Sequence, residues 1–230
     1  MNFYKDIYTK RWRNIEKVNQ IWKVLVEDFF QPMIPYESKV LDVGCGFCYF
    51  LNHLQVKEKV GVDANPSASN YAASDVIFYC TDDLTLPMLP NDYFDFVFIS
   101  NFLEHLDSPK DVLALLQRVR ELLKLGGKVV ILQPNFRLLG ASYFDFIDHK
   151  TVLTDKGLNE ALCVAGFEVE KKIVRFLPYT TRSKLPQHPL LIKFYLKFRP
   201  LWLILGKQSL FIGVKLANQG CSLDDFSSSI

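Results

Sequence analysis

Short continuous apolar runs alternate along this chain with stretches in which apolar residues recur every three or four positions. The first pattern suits strands buried on both faces, the second amphipathic helices. Strands are predicted at residues 40–41, 60–62, 76–80, 93–99, 128–132, 166–177 and 209–216. The run 93–99, Tyr-Phe-Asp-Phe-Val-Phe-Ile, is the clearest buried strand among them. Helical spacing appears at Ile15, Val18, Ile21, Trp22, Leu25 and Val26, closed by Pro32 and Pro35. Phe50, Leu51 and Leu54 would pack a second helix against a sheet. A third, opened by Ser108-Pro109, has Val112, Leu113, Leu115, Leu116, Val119, Leu122 and Leu123 as its apolar face, and Gly126-Gly127 stops it. A fourth spans 153–165, with Thr154 as its cap.

Strand and helix alternating in this way call for a parallel α/β sheet with right-handed crossovers and helices on both faces. A length of 230 residues is one such domain with room for an insertion. The pattern divides into an N-terminal helical cap (1–36), a sheet domain (37–218) and a flexible tail (219–230). Residues 178–208, between the sixth and seventh strands, far exceed a hairpin loop and read as a functional insertion.

The turn after the first strand carries the chemistry. Asp42 closes the strand, and Gly44 and Gly46 follow in Lys39-Val-Leu-Asp-Val-Gly-Cys-Gly-Phe-Cys-Tyr-Phe-Leu51. Glycine there frees the turn from Cβ clashes, lets a ligand approach the main chain, and leads into a helix whose first N–H groups face that ligand. A nicotinamide dinucleotide loop would want a third glycine where Tyr49 stands, and Asp42 would set like charge against a pyrophosphate. The same carboxylate suits an ammonium group.

This segment resembles the first motif of class I S-adenosylmethionine-dependent methyltransferases, with Cys48 where the family usually has glycine. The resemblance implies a Rossmann-like seven-stranded sheet, mostly parallel with the last strand antiparallel. It also implies S-adenosyl-L-methionine as cofactor, bound at Asp42, Gly44, Cys45 and Gly46. Asp63, with Ala64 beside it, ends the second strand about twenty residues beyond the loop, where an acid accepts ribose hydroxyls; a helix cap or surface acid is the plainer alternative. Asp82, Asp83 and Leu84 would border the adenine. The spacing to Leu86-Pro87 selects Asp82, Asp83 stays open, and a turn-capping role competes. Ser100-Asn101-Phe102-Leu103-Glu104-His105-Leu106 resembles the family's fourth motif, placing Ser100 and Asn101 at the cofactor edge.

Methyl transfer from a sulfonium is an in-line displacement, so the protein must align the nucleophile and exclude water. A hydroxyl nucleophile needs a general base. Of four histidines, His53 and His188 are poorly placed, whereas His105 and His149 follow strands at the cofactor edge. Asp148 can fix the tautomer of His149 and raise its basicity. The catalytic candidates are therefore His149, His105 and Asp148, with a pocket-shaping role for His105 as the alternative. Cys45 and Cys48 form a CxxC, but no second CxxC or HxxxH completes a zinc set, so no metal site is expected. Five scattered cysteines argue against a disulfide framework.

Composition adds one feature. Net charge is +2, yet residues 171–223 hold ten Lys or Arg and no acid, while the rest carries 17 basic against 25 acidic residues. Within that stretch Leu190, Leu191, Phe194, Tyr195 and Phe198 fall at helical spacing beside Lys193, Lys197 and Arg199. An interfacial helix in peripheral contact with a membrane is one reading, a helix covering a pocket or dimer face the other. So much aliphatic surface argues against a nucleic-acid groove. No run suits a membrane span, and the basic, aromatic start lacks a signal-peptide core, so a cytoplasmic protein is expected. Residues 136–208 resemble methyltransferases of bacterial sugar and polysaccharide pathways, which implies O-methylation of a small-molecule or glycan acceptor, lipid-linked glycans included. A non-catalytic docking module and a nucleotide-dependent oxidoreductase are the alternatives.

Overall fold

The computed structural model describes residues 15–179 and 188–217. Its centre is a seven-stranded sheet in the order β3-β2-β1-β4-β5-β7-β6. The strands are β1 (Lys39–Val43), β2 (Glu58–Asp63), β3 (Val76–Cys80), β4 (Phe94–Ser100), β5 (Leu123–Pro134), β6 (Glu168–Ile173) and β7 (Gln208–Val214). β7 runs antiparallel to both β5 and β6, and the other pairs are parallel. The expected Rossmann-like sheet with one reversed strand is the observed one.

Strand order reverses between β1 and β4, so their crossovers leave on opposite faces and a crevice opens beyond their carboxyl ends. That crevice is where the glycine loop after β1 and the Ser100–Leu106 segment after β4 meet. Its floor is firm because β4 is buried along Phe94, Phe96, Val97, Phe98 and Ile99.

Each face of the sheet has its own core. On one, α3 (Pro109–Leu122) and α5 (Asp155–Val164) bury Leu115, Leu116, Val119, Leu158 and Leu162 against Leu41, Val97 and Ile131. Both caps are as expected: the Ser108 and Thr154 hydroxyls accept from the Asp111 and Gly157 N–H groups. On the other face, α1 (Ile15–Leu25) continues through a π-turn (Val26–Phe30) into a 3₁₀ turn, and α2 (Tyr49–His53) packs beside it. Phe30 and Phe50 meet Phe98 there, the last two rings stacked 3.9 Å apart. The insertion supplies α6 (Pro189–Lys197) and α7 (Pro200–Leu205), whose Tyr195, Leu196 and Trp202 close the same core.

One local expectation changes. Gly126 and Gly127 do not end α3; the helix stops at Leu122 and Leu123 already pairs with Phe94. Gly126 takes φ +79 inside β5, where the register with β4 shifts. After β5, Asn135 caps a turn of helix, α4 (Phe136–Leu139), and a 3₁₀ turn follows. Residues 81–93 cross from β3 to β4 as a loop. Tyr4 and Tyr8, which the family resemblance offers as lid residues over the cofactor, and the 219–230 tail lie outside the described residues.

Candidate active site

The glycine loop is built against β2. Gly44 N–H and Cys45 N–H both donate to the Val62 carbonyl, at 2.9 and 3.1 Å, and Gly46 N–H donates to Asp63 Oδ2 at 2.8 Å. These three N–H groups hold the loop to the strand. Glycine at 44 is still required: φ is +72, and a Cβ there would sit 2.3 Å from the Phe102 ring. Cys48 adopts φ +55 and is fully buried, with its sulfur 3.7 Å from that of Cys45. Both thiols are free. Cys163, on α5, is disulfide-bonded.

Two carboxylates flank this loop. Asp42, at 3% exposure, has no hydrogen-bonded partner among the described residues. Burial, and secondarily the nearby Asp63 charge, push its carboxyl well above the usual range. Asp63 is also buried and raised by that burial, but the Asn65 and Gly46 N–H groups offset part of the effect by donating to its oxygens. A cation arriving at Asp42 would favour the ionised form that burial disfavours. Asp63 retains lone pairs for hydroxyl donors. Half-buried Ala64 follows it, and its carbonyl lies 3.9 Å from the Cys80 sulfur.

β3 brings the next segment alongside, with Thr81 N–H donating to the Asp63 carbonyl. Asp83 spends its carboxylate on its own turn, accepting from the Thr85 hydroxyl and N–H, and these bonds lower its pKa. Asp82 is exposed, with no such bond, and Leu84 is partly buried beside it. The geometry thus separates the two acids that spacing left open. Across the crevice Asn101 takes φ +49 and its amide donates to the Ser100 hydroxyl, both residues half-buried.

Farther along the crevice the segments after β4 and β5 are bound together. The Glu104 carbonyl accepts from Lys150 and Thr151 N–H, and the Thr151 hydroxyl donates to the Leu106 carbonyl. This brings His105 and His149 together, ring centroids 5.0 Å apart. His149 is buried, its ring stacked on Phe146 and edge-on to Tyr143. Asp148 also reaches His105: its carbonyl lies 3.0 Å and its carboxylate 3.4 Å from His105 Nδ1. Glu104, quoted in the motif but not singled out, joins them. It is 1% exposed, one carboxylate oxygen has no hydrogen-bond partner among the described residues, and burial pushes its pKa up to about 6. Donor atoms of Glu104, His105 and His149 lie within 4.8 Å of one another. The other two histidines sit elsewhere: His53 bonds Asn19, and His188 caps α6.

Residues 14–172 match the methyltransferase domain family. A SAM-dependent methyltransferase from Archaeoglobus fulgidus is 22% identical over 92% of this chain and 100% of that one, with a TM-score of 0.66. A SAM-dependent methyltransferase from Thermotoga maritima is 19% identical over 93% and 96%, TM-score 0.63. The [4+2]-cyclase SpnF is 17% identical over 86% and 81%, TM-score 0.62, so the shared fold alone does not fix the reaction. No curated protein is significantly similar. The chain belongs to the methyltransferase domain family.

Proposed function

We propose that this chain moves a methyl group from S-adenosylmethionine to a hydroxyl of a small-molecule or glycan acceptor. The observation that carries the reading is Asp42: a buried carboxylate without a hydrogen-bonded partner among the described residues, beside Asp63 at the mouth of the glycine loop. It suits the ammonium end of the cofactor, Asp63 the ribose hydroxyls, and Asp82 and Leu84 the adenine. Gly44, Cys45 and Gly46 keep the loop low enough for the ligand to lie across it, and Ser100 and Asn101 border the methyl end.

The sulfonium supplies its own leaving group, so the remaining task is to aim and activate the nucleophile. Acceptor activation falls to Glu104, His105 and His149, at the carboxyl end of β4 beside the cofactor crevice. There His149 takes the hydroxyl proton while Asp148 orients His105. A titratable group at this edge favours a hydroxyl over an amine, which needs no base once neutral. A glycan acceptor, lipid-linked glycans included, is supported by the basic, apolar insertion, through which the chain would touch a membrane surface.

Calorimetry with S-adenosylmethionine and S-adenosylhomocysteine tests the reading. Wild type should bind both in the micromolar range, and Asp63→Ala should lose at least about ten-fold, the cost of one charge-assisted hydrogen bond. A folded wild type that binds neither would sink the proposal and leave a docking module.

A further inference from the structure

We propose that Glu104, His105 and His149 form a binding site for a divalent transition-metal ion on the acceptor side of the crevice. Its catalytic use rests on the methyltransferase reading, although its binding does not. Three features support it independently. The first is the donor set itself: two imidazoles and a carboxylate from the separate segments after β4 and β5 converge within 4.8 Å. An ion held at about 2.0–2.2 Å from each donor would draw them closer by side-chain rotation.

The second is Glu104, one of whose buried carboxylate oxygens has no hydrogen-bond partner among the described residues. A buried acceptor left without one is costly, and a cation is a partner that would satisfy it. The third is the outer support of His105. Its Nδ1 lies 3.0 Å from the Asp148 carbonyl, an oxygen that can only accept, so Nδ1 carries the proton and the Nε2 lone pair is free to ligate. The Glu104 carbonyl, bonded by Lys150 and Thr151 N–H, holds the two segments together without help from any ligand.

Imidazole donors select ions such as zinc, iron(II) or cobalt over magnesium and calcium, which prefer all-oxygen shells. Three protein donors leave coordination positions open. An acceptor hydroxyl filling one would ionise more readily, its proton passing to solvent. The oxygen's electron pair then forms the bond to the donor methyl as the carbon–sulfur pair returns to sulfur. With the ion bound, His149 is a ligand, and the ion replaces it as activator.

The test is zinc(II) uptake by equilibrium dialysis, with cobalt(II) visible absorption as a report on the ligands. It uses the full chain, wild type, Glu104→Gln and His149→Ala, with S-adenosylhomocysteine calorimetry on the same samples. Wild type should take up zinc stoichiometrically. Each variant should bind it more weakly by at least the roughly 10–100-fold that loss of an outer support costs, while keeping cofactor affinity. No uptake by a wild type that binds S-adenosylhomocysteine, or equal uptake by the variants, overturns the metal site and leaves the methyltransferase reading intact. Zinc uptake lost in the variants, from a chain that binds no S-adenosylhomocysteine, keeps the site and removes its proposed use.

Discussion

Asp42 is a residue whose folded environment works against its charge. Its folded pKa lies above the ordinary carboxylate value through burial first and Asp63 second. The stability this contributes is therefore full below the ordinary carboxylate pKa and is lost as pH rises through the raised value. Asp63 titrates in the same sense. The free protein should thus lose stability upward through the carboxylate range. Asp42→Asn removes the charge but keeps the shape. At neutral pH it should raise Tm, by about 2–4 °C for each kcal/mol relieved, and flatten the pH profile of unfolding. It should also weaken S-adenosylmethionine roughly 10–100-fold, the loss of a hydrogen bond to a charged group. Thermal melts across pH beside calorimetry would check both arms; unchanged affinity would remove Asp42 from the cofactor site. The position of this acid was legible in the sequence because a strand end followed by a glycine turn fixes it locally. The environment of Glu104 was not, since it depends on where a segment some forty residues later folds back.

Among the elements, α3 does more than cover the sheet. Arg118 reaches from it to the Thr85, Leu86 and Leu89 carbonyls and the Asn91 side chain, while pairing with Glu121 on its own helix. These bonds staple the helix-free 81–93 crossing, in which Leu86 holds φ +45, to a rigid support. That crossing carries Asp82, the acid proposed to border the adenine. Arg118→Met keeps helix propensity and the apolar stem but drops the bonds. Each is worth about 1 kcal/mol or more, so Tm should fall by several degrees, and cofactor affinity should weaken with the helix intact by circular dichroism. A fall in Tm with unchanged affinity would show that the crossing does not contribute to the site. Strands and long helices were readable from periodicity and caps such as Ser108 and Thr154. The 81–93 loop, the π-turn at Val26–Phe30 and the early end of α3 were not, because long-range contacts and strand pairing decide them. The separation of Asp82 from Asp83 likewise needed the Thr85 bonds to be seen.

At the scale of the whole molecule, charge and apolar exposure coincide on α6 and α7. α6 and α7 turn Tyr195, Leu196 and Trp202 inward, with the Trp202 indole N–H on the Tyr195 carbonyl. Outward they present Leu190, Phe194, Leu203 and Ile204, exposed by 68, 57, 70 and 71%. Lys197 and Arg199 are exposed beside them, while Lys193 lies 3.3 Å from Asp28. Large side chains so clustered are uncommon on a free surface, and cations at their border suit anionic headgroups. No helix among the described residues is long and apolar enough to span a bilayer, so contact through this face would be peripheral. Wild type should therefore cosediment with vesicles containing anionic lipid more than with zwitterionic ones, and added salt should weaken the association. The double variant Phe194→Asp, Leu203→Asp should stay in solution while binding S-adenosylhomocysteine like wild type. If wild type ignores both vesicle types and elutes as a dimer that the double variant splits, the face joins two copies instead, and the lipid-linked form of the acceptor loses its support.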